Sequence, residues 1–100
     1  MTTAAVALPA GADPEFSDGE WEADIDSPTG YYRCVWSPEF GTDGVRVVAT
    51  QYRDGTLGTA DEAPHVSLGS GEAITTAEAR QAAAALTAAA DLADKWAVGR

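Results

Sequence analysis

Cys34 is the only cysteine, so no disulfide can close within the chain and the sequence suits a reducing compartment. Large aliphatic side chains are scarce. Leu, Ile, Val and Phe together supply 16 of 100 residues, which bounds the core to a modest size. No apolar run approaches the roughly 18 residues of a membrane span. The opening "MTTAAVALPAGA" has no basic start, and Pro9 interrupts it, so it makes a poor signal peptide. A cytoplasmic setting is the resulting expectation. Bases are the other shortage. Six Lys and Arg face sixteen Asp and Glu, for a net charge of -10. A nucleic-acid binder needs clustered bases to displace counterions, so direct nucleic-acid binding is not expected.

What the chain does have is unevenly placed. Seven of the sixteen acids fall between Asp13 and Asp26, with no base before Arg33. Three Trp and three Tyr supply large areas to bury despite the poor aliphatic content. One domain accounts for the length. Residues 1–17, small, Ala-rich and broken by Pro9 and Gly11, read as a flexible arm. The domain proper is expected over 18–100, with an acidic edge segment at 18–26, a sheet over 31–68 and a helix over 75–97.

"EWEADID" reads either as an acidic–aromatic disordered segment or as a short edge strand, with Glu20, Glu22, Asp24 and Asp26 on one face and Trp21, Ala23 and Ile25 on the other. "SPTG" turns the chain. "YYRCVW" and "VRVVATQY" are β-rich and read as strands. Val45, Val47 and Ala49 share one side of the second; Arg46, Val48, Thr50 and Tyr52 share the other. Asp54-Gly55 marks a turn, and "HVSL" reads as a short strand. Thr75 and Glu78 form a capping box ahead of an alanine-dominated helix. A 100° wheel places Ala79, Ala82, Ala83, Leu86, Ala89, Ala90, Ala93, Trp96 and Ala97 on one half, with Leu92 at its edge. On that reading Leu86→Asp unfolds the domain. Lys95 and Arg100 suit the helix end, and Gly99 is placed to stop it. The expected fold is α+β: an antiparallel meander of three strands, four if the acidic segment joins, with one long C-terminal helix on one face.

The stretch "YRDGTLGTADEAPHVSLGSGEAITTAEARQAAAALTAAADLAD" resembles the ending of small actinobacterial and actinophage proteins of unknown function. Their pattern is a strand, an "xVxL" strand and then "LTxAEARxLAAALxAAAD", with Ile74 here where Leu is usual. The likeness runs from about Val45 to Asp94 and leaves out the acidic segment and "YYRCVWSPEF". It implies a small α+β fold in a bacterial or phage cytosolic setting, and no catalytic residues.

Candidate chemistry is thin. Cys34 and His65 are the sole nucleophile–base pair, but a dyad needs a low-pKa thiolate and an orienting third group. Two ligands do not make a zinc site. An EF-hand count from Asp18 meets Ala23 where Gly is required and Thr29 where Glu is required. The glycines of "LGSGE" lack phosphate-loop spacing and a lysine. No cofactor and no enzymatic activity are expected. The expected function is a phage or prophage accessory protein that binds a bacterial host protein. Its candidate contacts are Asp18, Glu20, Trp21, Glu22, Asp24 and Asp26, with Trp21 as anchor. The uncovered sheet face with Arg46, Thr50 and Tyr52 is a second surface, also suited to a homodimer. The alternatives are a DNA mimic occupying a nucleic-acid-binding host factor, and an acidic segment that only keeps the domain soluble.

Overall fold

The computed structural model describes residues 6–41, 44–69 and 75–98. Among these residues four strands form one antiparallel sheet in chain order: β1 (Glu22–Ala23), β2 (Tyr31–Trp36), β3 (Arg46–Tyr52) and β4 (His65–Ser67). One long helix, α1 (Thr76–Val98), follows. The α+β meander with a C-terminal helix is thus the architecture, and the acidic segment does supply the fourth strand.

β2 and β3 pair over five positions, from Tyr32↔Tyr52 to Trp36↔Val48. Alternation then fixes the two faces. Val35, Val45, Val47 and Ala49 face α1 and form the core with Leu57, Ala85, Ala89, Ala93 and Trp96. Tyr32, Cys34, Trp36, Val48, Thr50 and Tyr52 lie on the face away from the helix. After β3 the chain turns at Asp54 and Gly55, where Gly55 takes φ 92° and Tyr52 N donates to Thr56 O. Leu57 bridges back to Gln51 on the same edge that β4 uses further along. A short 3-10 turn at Ala60–Glu62 separates the two pairings.

The capping box forms as its residues predict: Thr75 N donates to Glu78 Oε1 at 2.8 Å, and Glu78 N to Thr75 Oγ1 at 3.1 Å. The buried helix stripe differs from the wheel expectation. It runs Ala85, Ala89, Ala93 and Trp96, flanked by half-buried Ala82 and Leu92. That line is rotated by roughly 60° from the expected centre at 100° per residue. Leu86 is left 37 % exposed and outside the core, so, against the wheel expectation, Leu86→Asp should not unfold the domain. The reason is that a wheel of near-uniform alanine carries no strong orientation. Close approach decides instead: a Cβ added at Gly41 would lie 3.2 Å from Ala85 Cβ.

The arm also differs from expectation. From residue 6 onward it is tied to the domain. Buried side chains bond its carbonyls: Arg33 Nη2 to Val6 O at 2.9 Å, Gln51 Nε2 to Ala7 O at 2.9 Å, and Trp96 Nε1 to Ala10 O at 2.8 Å. These partners come from β2, β3 and α1, so the arm joins three elements. Residues 1–5, the loop after Gly69, Ile74, and the helix stop at Gly99 with Arg100 lie outside the described residues.

Candidate functional site on the open sheet face

The acidic segment spends much of its chemistry on the free edge of β2. An unpaired edge exposes a row of amides and carbonyls. Here Asp13 N and Asp18 N donate to Trp36 O and Cys34 O. Ser17 Oγ accepts from Trp36 N at 2.8 Å and donates to Trp36 O at 3.1 Å. Asp18 Oδ2 accepts from Cys34 N at 3.0 Å. A hydroxyl and a carboxylate thus stand in for a strand until β1 takes over at Tyr32 and Tyr31.

The seven-residue alternation at 20–26 yields only two strand residues, Glu22 and Ala23. A turn follows at once. Asp24 N donates to Gly30 O, and Asp24 Oδ1 accepts from Asp26 N at 3.0 Å. Ile25 sits at the tip, 95 % exposed. Four acids on one strand face repel, and the local Asx turn disperses them.

The structure therefore divides the candidate residues. Asp18 is an edge cap. Trp21 is half-buried, with the Arg33 guanidinium 4.4 Å from its ring centroid. Arg33 is itself 7 % exposed and donates Nε to Gln51 Oε1 at 2.8 Å. Glu20 is exposed on the approach to β1. Glu22, Asp24 and Asp26 lie on or beside the open face, together with Thr50 and Tyr52. Arg46 belongs to a separate cluster at the far end. Its guanidinium lies 3.8 Å from the Phe16 ring centroid and 3.9 Å from Asp13 Oδ2. Phe16 in turn packs edge-on against Trp36 at 5.3 Å.

What comes together is a groove of about 430 Å³ lined by Asp24, Asp26, Ser27, Pro28, Tyr32, Cys34, Thr50, Tyr52 and Glu62. The β2–β3 register makes Tyr32 and Tyr52 direct cross-strand neighbours, and likewise Cys34 and Thr50. Glu62 arrives from the 3-10 turn on the opposite side and accepts from Thr50 Oγ1 at 2.8 Å. Tyr32 donates its hydroxyl to Glu22 Oε2 at 2.7 Å. That bond, with the charge behind it, pushes the phenol above its ordinary range. Sequence pattern identified Thr50 and Tyr52 on this face and missed Glu62. Its signal, an acid in a glycine-rich loop, gave no direction.

The groove is poorly equipped for nucleophilic chemistry. Burial, then the charges of Asp18, Glu22 and Glu62, push the Cys34 thiol up rather than down. Cys34 pairs with Thr50 and His65 with Val48, on strands flanking β3. Two strand spacings of about 4.8 Å separate them, so they are not in hydrogen-bond reach. His65 Nδ1 instead lies 3.2 Å from Ala63 O. Among the described residues no group of three His, Cys, Asp or Glu side chains is placed to hold a metal ion, and no helix is long and apolar enough to cross a membrane.

No family model, curated protein or solved structure matches the chain.

Proposed function

We propose that the protein is a non-enzymatic binding module that takes a basic segment of a partner protein in the open-face groove. One observation carries this reading. The groove brings three carboxylates (Asp24, Asp26 and Glu62) and two tyrosines (Tyr32 and Tyr52) around one depression, with no base among the described residues of its lining. Carboxylates draw a Lys or Arg side chain in, and tyrosine rings add cation–π attraction on their faces. The resemblance of the chain's ending to actinophage proteins suggests a bacterial host protein as that partner. The net charge of -10 favours fast encounter with a basic surface.

A second reading, the DNA mimic, draws on the same carboxylates. Glu62 extends the acids of 22–26 across β3, which lengthens the charged face towards a phosphate-like array. The two readings weigh the tyrosines differently, since a mimic needs charge alone.

The experiment is a calorimetric titration with a lysine-rich peptide and with a glutamate-rich control. The triple variant Asp24→Asn, Asp26→Asn, Glu62→Gln keeps the hydrogen-bond acceptors and removes the charge. It should bind the lysine peptide on the order of tenfold or more weakly. Tyr52→Ala should weaken binding severalfold at low salt under the first reading and leave it unchanged under the second. Equal affinity of the triple variant and the parent chain sinks both.

A further inference from the structure

A second cleft lies on the opposite side of the sheet. It measures about 560 Å³ and is lined by the arm, by Gln51 and Leu57, and by Leu92, Lys95 and Trp96 of α1. Its walls are mostly apolar: Leu8 and Pro9 on one side, Leu57 below, Leu92 and Trp96 on the other. The polar side chains of its interior, Gln51 and Trp96, are already engaged. Gln51 Nε2 bonds Ala7 O, and Trp96 Nε1 bonds Ala10 O. The remaining polar handle is the exposed ammonium of Lys95, which forms no ion pair among the described residues.

The charge pattern is the reverse of that on the open face. In a chain carrying sixteen acids and one lysine, this lining includes the lysine and, among the described residues, no carboxylate side chain. The volume falls in the range of small-molecule sites, which combine apolar walls with a few placed polar groups. Lys95 is in the last turn of α1, where the helix dipole repels anions. An anion here must therefore be held by the ammonium and by burial of its apolar part.

We propose that this cleft binds a small apolar molecule carrying one carboxylate, with its hydrocarbon between Leu8, Leu57, Leu92 and Trp96 and its carboxylate on Lys95. The site is independent of the open-face groove. The arm forms one wall, so occupancy would also hold the arm against α1.

The test is an NMR titration of the full chain with octanoate, octanol and octylammonium, each below micelle formation. Octanoate should shift the amides of Ala7, Leu8, Ala10, Gly11 and residues 92–96 saturably, with one molecule bound. Octylammonium should bind on the order of tenfold more weakly. Lys95→Met should weaken octanoate by about tenfold while leaving octanol unchanged. Because Lys95 is exposed, that variant should keep its fold; its amide dispersion verifies this, and Lys95→Gln serves as the second variant. The proposal is overturned if octanoate produces no saturable shift, if the shifts map elsewhere, or if both Lys95 variants bind octanoate as the parent does.

Discussion

Gln51 is 1 % exposed, and both ends of its amide are used. Oε1 accepts from Arg33, and Nε2 donates to Ala7 O and, at 3.4 Å, to Gly55 O. Replacing it with Leu keeps the volume and strands the guanidinium with one acceptor fewer. Gln51→Leu should cost about 2–3 kcal/mol, read by urea denaturation. Leu86→Asp should cost under about 1 kcal/mol, because Leu86 is more than a third exposed. Ala89→Leu should cost about 1–3 kcal/mol, since Ala89 is 0 % exposed against the sheet and has no room to grow. A reversed order of the two helix variants would put the buried stripe on the wrong side. Cys34 gives a pH prediction. Its thiol is held above the ordinary range, so alkylation by iodoacetamide should be slower than for a free cysteine peptide at neutral pH. Its rate should reach half-maximum at a higher pH than in the peptide. A faster rate at neutral pH would contradict the desolvated setting.

Two elements depend on side chains that imitate backbone. On the β2 edge, Ser17 and Asp18 satisfy the amides of Trp36 and Cys34. The double variant Ser17→Ala, Asp18→Ala should speed hydrogen exchange at those two amides while sparing Val35, which faces β3. It should also make the chain prone to edge-to-edge pairing, visible by analytical ultracentrifugation. At the start of α1, the Thr75 amide and hydroxyl hold the Glu78 carboxyl below its usual range. A depressed folded pKa means the stabilisation is present above the unfolded pKa and lost as pH falls through the folded one. The melting temperature of Glu78→Ala should therefore trail the parent at neutral pH, and the gap should close in acid. Such elements are legible to different degrees. The cap was legible because its spacing is local and its partners are three residues apart. The edge caps were not, since Ser17 and Trp36 are nineteen residues apart in sequence.

Across the whole molecule the arm is what closes the inner face. It is held by its own carbonyls, so nearly any extended backbone would satisfy Arg33, Gln51 and Trp96. Nothing in "VALPAGA" announces that role, and its composition reads as a tail. Deleting residues 1–12 should lower the melting temperature by more than about 5 °C, because three buried donors lose their acceptors. An unchanged melt would mean that the arm contributes nothing to stability. The charge distribution also acts at this scale. Seven of the sixteen acids lie within 13–26, and added salt should raise the melting temperature modestly by screening their repulsion.

The assignments of β2, β3, β4 and α1, their order, the capping box and the side of β3 that carries Thr50 and Tyr52 were legible in the sequence alone, whereas the extent of β1 was not. Each rests on local periodicity or on partners a few residues apart, and the chain's own sterics enforce such patterns. The orientation of α1, the fate of Trp21, the recruitment of Glu62 to the groove and the docking of the arm were decided only in the tertiary structure. Alanine faces differ too little in buried area to choose an orientation. A carboxylate or an indole has no direction until a distant partner supplies one: Trp21 finds Arg33, Glu62 finds Thr50, and the arm's carbonyls find donors from three elements that only folding brings together.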